Sequence, residues 1–404
     1  MLRFLTAGES HGKGLISILE GIPANLKINE NFINYHLSRR QMGYGRGGRM
    51  KIETDTAEII SGIRFGKTTG SPISLLIKNK DWENWTTKMS TMEINEEVEK
   101  ISVPRPGHAD LVGVSKYNLD DIRNSIERSS ARETASRVAV GSVARKFLTE
   151  FGIHIGSYVE SIGGIYSNEN FSEKLFNNDL PERFNAADIS NLSDKSQVRV
   201  IDQRQENKII NKIKVAKKKG DTLGGSFIVI ATGVPVGLGS FIQYDRRLDA
   251  DIAHSIISIN AVKGVEIGDA FNISESFGSE SHDEIIRKGK KIIRKTNRAG
   301  GIEGGITNGM PIIVRAAMKP IATLMSPIEA VNLQNMKSVL SRRERSDFVA
   351  VPACAVIAES MLALILAKHF LEKFGGDSIE ETKDNFMSYK TQSFTRLVNN
   401  FKAR

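Results

Sequence analysis

The sequence predicts an α+β fold with mixed or antiparallel sheets. Strand-like runs come in pairs, long helical periods lie between the pairs, and no regular strand–helix–strand repeat is present. With 404 residues the chain is long enough to bury a sizeable core. Its 40% hydrophobic and 25% charged fractions are those of an ordinary globular protein, and no stretch has the composition of a domain linker. By length alone one large domain or two are both possible.

Leu2 to Ala7 and Leu15 to Glu20 read as strands around the tight loop Gly8-Glu9-Ser10-His11-Gly12. Phe32, Ile33, Tyr35 and Leu37 mark a helix over Asn29 to Arg40, and a Gly/Arg loop from Gln41 to Arg49 follows. Strands are expected over Lys51 to Ile63 and Pro72 to Lys78, and the polar run Asp81 to Lys100 reads as a surface excursion. Pro104 and Pro106 keep the loop that carries His108 out of helix. Asp120 and Asp121 then favour a helix start, and Ala135, Ala139, Val143 and Phe147 recur at i+4 as the apolar face of the helical run.

Ile153 to Ile162 reads as a strand, whereas 167–197, rich in Asn, Ser, Asp and Glu, reads as a surface insertion. Glu206 to Lys219 has the pattern of a basic amphipathic helix, Gly224 to Val234 of a strand, Leu248 to Asn260 of a helix and Lys263 to Ile267 of a strand. Asp283 to Lys295 fits a charged helix or loop, and Pro311 to Met318 another strand. Val351 to Phe374 is the longest apolar helix, stopped by Gly375-Gly376, and 377–404 is a polar, peripheral tail.

A formal charge of +9 implies an anionic partner, which by charge alone is nucleic acid, an acidic membrane surface or a multiply anionic small molecule. The single cysteine, Cys354, excludes an intramolecular disulfide, and its apolar neighbours make it a buried small hydrophobe, as expected of a cytoplasmic protein. The most apolar stretch, Ala358 to Leu371, contains Glu359 and Lys368, so no run has membrane-spanning length and composition. Seven histidines occur without an H-E-x-x-H or Cys/His cluster, and no metal site is expected.

Two nucleotide-loop lookalikes fail on context. Gly43-Tyr44-Gly45-Arg46-Gly47-Gly48 follows a helix and precedes a strand, the reverse of the dinucleotide-binding order. Gly62 to Thr68 has three residues between its glycines where a P-loop has four. The Gly/Arg loop with Tyr44 also allows a nucleic-acid-binding alternative, but it is one short copy and the remaining arginines are scattered. It reads better as a loop that brings Arg46 and Arg49 over an anionic ligand, beside Arg39 and Arg40.

His11 and His108 differ from the other five histidines in lying beside glycine in tight loops near Ser10, Arg105 and Asp110, a setting for acid–base work. Arg128-Ser129-Ser130-Ala131-Arg132 offers guanidinium forks beside hydroxyl and backbone donors, equipment for phosphate or carboxylate. Further glycine-rich or basic loops at 260–264, 299–306 and 319–323 could grip a flat cofactor through backbone amides. In Arg342 to Asp347 the single aspartate is either an ion-pair residue or a base.

These blocks together resemble chorismate synthase over nearly the whole chain: Gly8 to Gly12, Arg105 to Asp110, Arg128 to Thr134, Asn260 to Glu266, Ala299 to Ile306, Lys319-Pro320 and Arg345-Ser346-Asp347. The resemblance implies a single domain over residues 1–404, a β-α-β sandwich with helices between antiparallel sheets, internal pseudo-symmetry and a homotetramer. It implies a lyase of the shikimate pathway that eliminates phosphate from 5-enolpyruvylshikimate 3-phosphate with reduced FMN, and neither nucleic acid nor membrane as partner. The flavin-binding positions carried over are Arg128, Ser129, Ser130, Asn260, Ala261, Gly304, Lys319, Pro320, Ile321, Ala322, Thr323 and Arg345. Arg40, Arg46, Arg49 and Arg132 match basic positions around the substrate. His11, His108, Asp347 and Ser10 match catalytic positions, His11 for flavin protonation, His108 for the phosphate side and Asp347 for the acid that assists the flavin base. Family members reduce their flavin with NADPH, releasing NADP, or rely on an outside source; without a legible reductase domain, external reduction is expected here.

Overall fold

The computed structural model describes residues 2–47, 54–168, 171–181, 184–289, 291–343 and 347–401. The chain opens with β1 (Arg3–Ala7), β2 (Gly14–Glu20), α1 (Glu30–Gln41), β3 (Ala57–Ser61) and β4 (Ile73–Lys78). After a long excursion come α2 (Asp110–Tyr117), α3 (Ile122–Ser129) and α4 (Thr134–Thr149). The second half runs β5 (His154–Ile162), β6 (Ile165–Tyr166), α5 (Phe171–Phe176), α6 (Ala186–Ser193), α7 (Gln203–Lys219), β7 (Gly225–Thr232), α8 (Leu248–Ile257) and β8 (Val262–Ile267). It closes with β9 (Ile312–Met318), α9 (Val351–Phe374) and α10 (Ile379–Phe401).

Two antiparallel sheets enclose α1, α4, α8 and α9. The first has the order β1-β2-β4-β3, the second β8-β9-β7-β5-β6. In the first sheet burial alternates: Leu15, Ser17 and Leu19 of β2 and Ile73, Leu75 and Ile77 of β4 face the helices. The second sheet is buried on both faces, which is why β7 and β9 read as nearly unbroken apolar runs. The α+β sandwich expected from paired strands and long helices is the observed architecture.

The segment 167–197 does more than decorate the surface. Leu175, Phe176, Ala186 and Ile189 pack on Tyr158, Ile228, Ile230 and Ile313 and close the outer face of the second sheet. Its few apolar residues stand between polar ones, so composition hid their single buried face. The charged run from Asp283 to Lys295 forms a β-hairpin, Ile285–Lys288 with Lys291–Arg294, in place of the helix or loop expected. The polar tail folds as α10 and buries Ile379 and Phe386 in the core.

Between the sheets, α9 packs on α4, α1 and α8. It is apolar on all sides because it is covered on all sides. It is also the one described helix long and apolar enough to cross a membrane, and 89% of that stretch is buried inside the protein. Where α9 crosses α4 the backbones nearly touch: a Cβ on Gly141 would lie 2.4 Å from the Cβ of Ser360.

One charge on α9 is buried in the core. Glu359 is fully buried and accepts hydrogen bonds from Arg39 at 2.7 and 3.0 Å, Ser157 at 2.6 Å, Ser190 at 2.9 Å, Arg199 at 3.3 Å, and Arg145. Burial works to raise its carboxyl, but the three guanidiniums hold it well below the usual carboxylate range. The second acid of the cluster, Asp194, pairs with Arg39 at 2.6 Å and with Arg199. Burial, with Arg145 and Arg39, pushes the neighbouring His36 well below its ordinary value, so that ring adds no further charge.

A carboxylate whose folded value is depressed stabilises above its unfolded value, and that contribution fades as pH falls through the folded value. Glu359→Gln should therefore lower stability near neutrality by about 3–5 kcal/mol, the usual effect of removing one partner from a buried ion cluster. The deficit should shrink below about pH 4, where unfolded carboxyls take up protons. Chemical denaturation of both proteins across pH checks this, and equal stabilities at pH 7 would refute it.

Candidate active site

The site forms where the β1–β2 loop, the end of β4 and the end of α1 meet the α3–α4 junction. A helix running unbroken from 122 to 149 would put Arg128 and Arg132 on one face, four residues apart. The chain breaks it instead: Ser130 is extended (φ −61°, ψ 139°) and its hydroxyl accepts from the Arg132 amide to start a short 3-10 turn over Ala131–Glu133. Arg128 then reaches back to Thr6 (2.9 Å to both its carbonyl and hydroxyl), while Arg132 points to the opposite side.

On that side Arg132 Nε donates to Asn79 Oδ1 at 3.0 Å and its Nη1 pairs with Asp55. Asn79 Nδ2 donates to the carbonyls of Glu9 (3.1 Å) and Gly12 (2.7 Å), so Arg132 is tied through one amide to the loop that carries Ser10 and His11. Arg40 Nη1 holds the other Asp55 oxygen at 3.1 Å, and its Nε and Nη2 reach Thr134 and the Ala131 carbonyl at 3.0 Å each. Burial lowers the Arg40 guanidinium to about 10, against the opposing pull of Asp55. Three of its five N–H groups are thus committed to the protein. Arg39, its neighbour, is absorbed by the Glu359 cluster and takes no part in the site.

Arg46 pairs with Asp347 at 2.9 Å, and Asp347 also accepts from the Gly47 amide at 2.6 Å. Tyr44, read as a stacking surface for nucleic acid, packs against the hydrophobic core, so the Gly/Arg loop is docked on its own protein. Arg49 and Arg345 lie outside the described residues.

His11 and His108 share one arrangement. His11 Nδ1 lies 2.9 and 3.0 Å from the two Glu127 oxygens, and the His11 ring stacks on Trp85 at 3.9 Å. His108 Nδ1 lies 2.6 Å from Asp110 Oδ1. Arg105 grips the same carboxylate through Nε (2.8 Å), Nη2 (2.9 Å) and its backbone amide (2.9 Å). Burial works to raise the Asp110 carboxyl, but hydrogen bonds from Arg105 and His108 hold it well below the usual range.

Direct contacts join the remaining loops. Ser130 donates to Ser10 at 3.1 Å, and Asn260 Nδ2 donates to the Ser129 carbonyl at 3.0 Å. Lys319 donates from its backbone to the Ala261 carbonyl (2.9 Å) and from Nζ to the Gly107 carbonyl (2.5 Å), which brings the 319–323 loop with Pro320 beside His108; the Thr222 hydroxyl anchors that loop at Ile321. A Cβ on Gly107 would come within 3.7 Å of Ala322. Gly304 is placed differently. It turns the hairpin Ile302–Thr307 against Arg247 and Leu248 at the start of α8, whereas Asn260 and Ala261 follow the other end of that helix. The helix between these two ends is ten residues, about 15 Å, long.

Four residues of this site were invisible as such in the sequence: Asp55, Asn79, Trp85 and Glu127. Trp85 belongs to the polar run read as a surface excursion, and being one of only two tryptophans was its signal. Glu127 is the acid immediately before the Arg/Ser segment.

Two imidazoles set on carboxylates, fixed guanidiniums and loop amides at one end of a β-α-β sandwich define an enzyme site for an anionic small molecule. A chorismate synthase family profile matches residues 2–371. The chorismate synthase of Chlorobaculum tepidum is 53% identical over 394 residues, 96% of this chain and 98% of its own; that of Aquifex aeolicus is 55% identical over 390 residues, 96% and 97%. A solved structure titled "Crystal Structure of Chorismate Synthase" superposes with a TM-score of 0.79 at 47% identity, covering 98% of both chains. The chain belongs to the chorismate synthase family.

The β1–β2 loop depends on Gly8, whose φ is +106° and where a Cβ would lie 2.3 Å from the Gly14 carbonyl oxygen. At Gly12 the nearest atom is the mobile end of Glu9, at 2.9 Å. Gly8→Ala should cost more than the about 1–2 kcal/mol of a left-handed backbone alone, and Gly12→Ala less. Thermal melting of the two variants checks the order.

Proposed function

We propose that this chain is a lyase that converts 5-enolpyruvylshikimate 3-phosphate to chorismate and inorganic phosphate, with reduced FMN bound, in the cytoplasm. The observation that carries this is the single contact network joining both histidine–carboxylate pairs, Arg40, Arg132 and the 128–130, 260–261 and 319–323 loops. In the elimination a ring C–H and the C–O bond to phosphate break. In this 1,4-elimination the C–H electron pair forms a new double bond, the ring's existing double bond shifts toward the carbon that loses phosphate, the C–O pair leaves with phosphate and the proton passes to a base, so the sum involves no net redox change.

The residues suit the flavin. Asn260 Oδ1 is buried with no hydrogen-bond partner among the described residues, an acceptor left for a ligand N–H, while Asn260 Nδ2 ties it to the Ser129 carbonyl and the Lys319 amide ties the 319–323 loop to the neighbouring Ala261. Reduced FMN, when bound, supplies electron density to the ring as phosphate departs. The chain's own part is electrostatic and positional. Arg40, Arg46 and Arg132, fixed by Asp55 and Asp347, meet the charges of the phosphate and two carboxylates. His108, its ring held by Asp110 at Nδ1 and by Arg105, whose Nη2 lies 3.4 Å from Nε2, is the proton donor on the phosphate side.

We further propose a homotetramer. The register of the first sheet sets Leu5 opposite Ile18 and Ile16 opposite Leu76 on its outer face, an apolar stripe on which Leu5 is 69% exposed. Ile18→Glu should break the assembly into smaller species in analytical ultracentrifugation; an unchanged mass would remove this face from the interface.

Anaerobic turnover with reduced FMN tests the activity: release of phosphate with formation of chorismate is expected, and no turnover under full reduction would refute it. His108→Ala should lower kcat by about 100-fold or more, the scale of a general acid, while FMN affinity changes little. Loss of FMN binding at unchanged turnover would reverse that assignment.

A further inference from the structure

The partner of His11 comes from 116 residues away, and the contact is complete on the protein side. The Glu127 side chain is only 1% exposed. Its Oε2 accepts the His11 backbone N–H at 2.8 Å, and both oxygens lie within 3.0 Å of Nδ1. A carboxylate near neutrality only accepts, so Nδ1 must carry the hydrogen. Nε2 has no hydrogen-bond partner among the described residues, and the His11 side chain keeps 19% of its exposure.

The ring is also fixed out of its plane. Trp85 lies 3.9 Å away at an interplanar angle of 28°, and Trp85 is itself held by a bond from Nε1 to Asp81 at 2.9 Å. The Arg123 guanidinium covers the Trp85 ring at 5.1 Å and lies 3.7 Å from Glu127 Oε1, which joins stack and carboxylate in one unit. A residue needed only to anchor the loop would not require a buried anion on one ring nitrogen, a clamp on the ring face and an unbonded second nitrogen.

We propose that Glu127 is a positioning residue for His11: its carboxylate fixes the Nδ1–H tautomer and, with Trp85, aims Nε2 into the site as the atom that takes or gives the proton. This rests on His11 being a proton-handling residue of the proposed reaction.

Histidine-selective 15N solid-state NMR of the full-length protein tests it, with His11→Asn assigning the signal, at about pH 8, above the ordinary histidine range. The wild-type His11 is expected as the Nδ1–H tautomer, and Glu127→Gln should populate the Nε2–H form. In parallel, Glu127→Gln should lower kcat by about tenfold or more with KM within about threefold and FMN binding retained, the signature of an interaction made in the transition state. Glu127→Asp, which keeps the anion, should recover part of kcat. An Nε2–H tautomer in the wild type overturns the proposal without any variant, and so does a tautomer unchanged in Glu127→Gln. A tautomer that switches with kcat unchanged upholds the coupling of Glu127 to His11 and overturns the proton-handling reading of His11 instead.

Discussion

A buried carboxylate in the most apolar helix of the chain organises this molecule. Glu359 would be prohibitively costly alone in the core, and it is tolerated because Arg39 from α1, Arg145 from α4, Arg199 from the loop before α7, Ser157 from β5 and Ser190 from α6 all converge on it. Each partner arrives from a different element, so satisfying one charge fixes their mutual placement. Apolar packing between α9 and its neighbours could tolerate small slides; an anion hydrogen-bonded by five residues does not. The segment 167–197 is bound to this centre as well, through Ser190 and Asp194, which explains why a polar stretch of modest hydrophobicity holds a defined position on the sheet.

That rigidity is transmitted to the site by two adjacent side chains. Arg39 and Arg40 end α1 pointing in different directions, the first into the Glu359 cluster and the second onto Asp55. Asp55 holds Arg132, Arg132 holds Asn79, and Asn79 holds the loop of Ser10 and His11. Every link is a hydrogen bond to a charged or amide group with little freedom to rotate. The guanidiniums therefore stand in place before any ligand arrives, which is the condition under which fixed charge favours a transition state over a solvated ground state.

Much of this was legible in the residues. Period-two burial in β2 and β4, the unbroken apolar runs of β7 and β9 and the length of α9 each follow from one element's own pattern. The glycine-flanked histidines and the Arg/Ser segment were legible for a similar reason, since unusual residue types cluster locally. Partners were not. Nothing near Asp55 or Asn79 distinguishes them from other polar residues of loops, and their role exists only because α1 and α4 bring arginines to them. The hairpin at 285–294 was hidden because its first strand, Ile285–Lys288, is exposed throughout and sets isoleucine beside a basic residue on each face, which leaves no period to read. Gly304 shows the converse limit: a matching motif gives no distance, and α8 separates it from Asn260.

The break between α3 and α4 is where sequence chemistry and fold meet most closely. Ser129, Ser130 and Ala131 are small, so the chain can leave helical geometry there without burying bulk, and Ser130 caps the turn that follows. Continuation as one helix would align Arg128 with Arg132 and aim both at one region, and like charges at that spacing repel. Interrupted, the same five residues direct one guanidinium to the β1 strand, one hydroxyl to Ser10, and the other guanidinium to Asp55. Glu127, in the last turn of α3, is thereby set under the β1–β2 loop, where its backbone carbonyl holds Ser10 and its carboxylate holds His11. The helix break is thus a device that spreads one short stretch of sequence around three sides of a site.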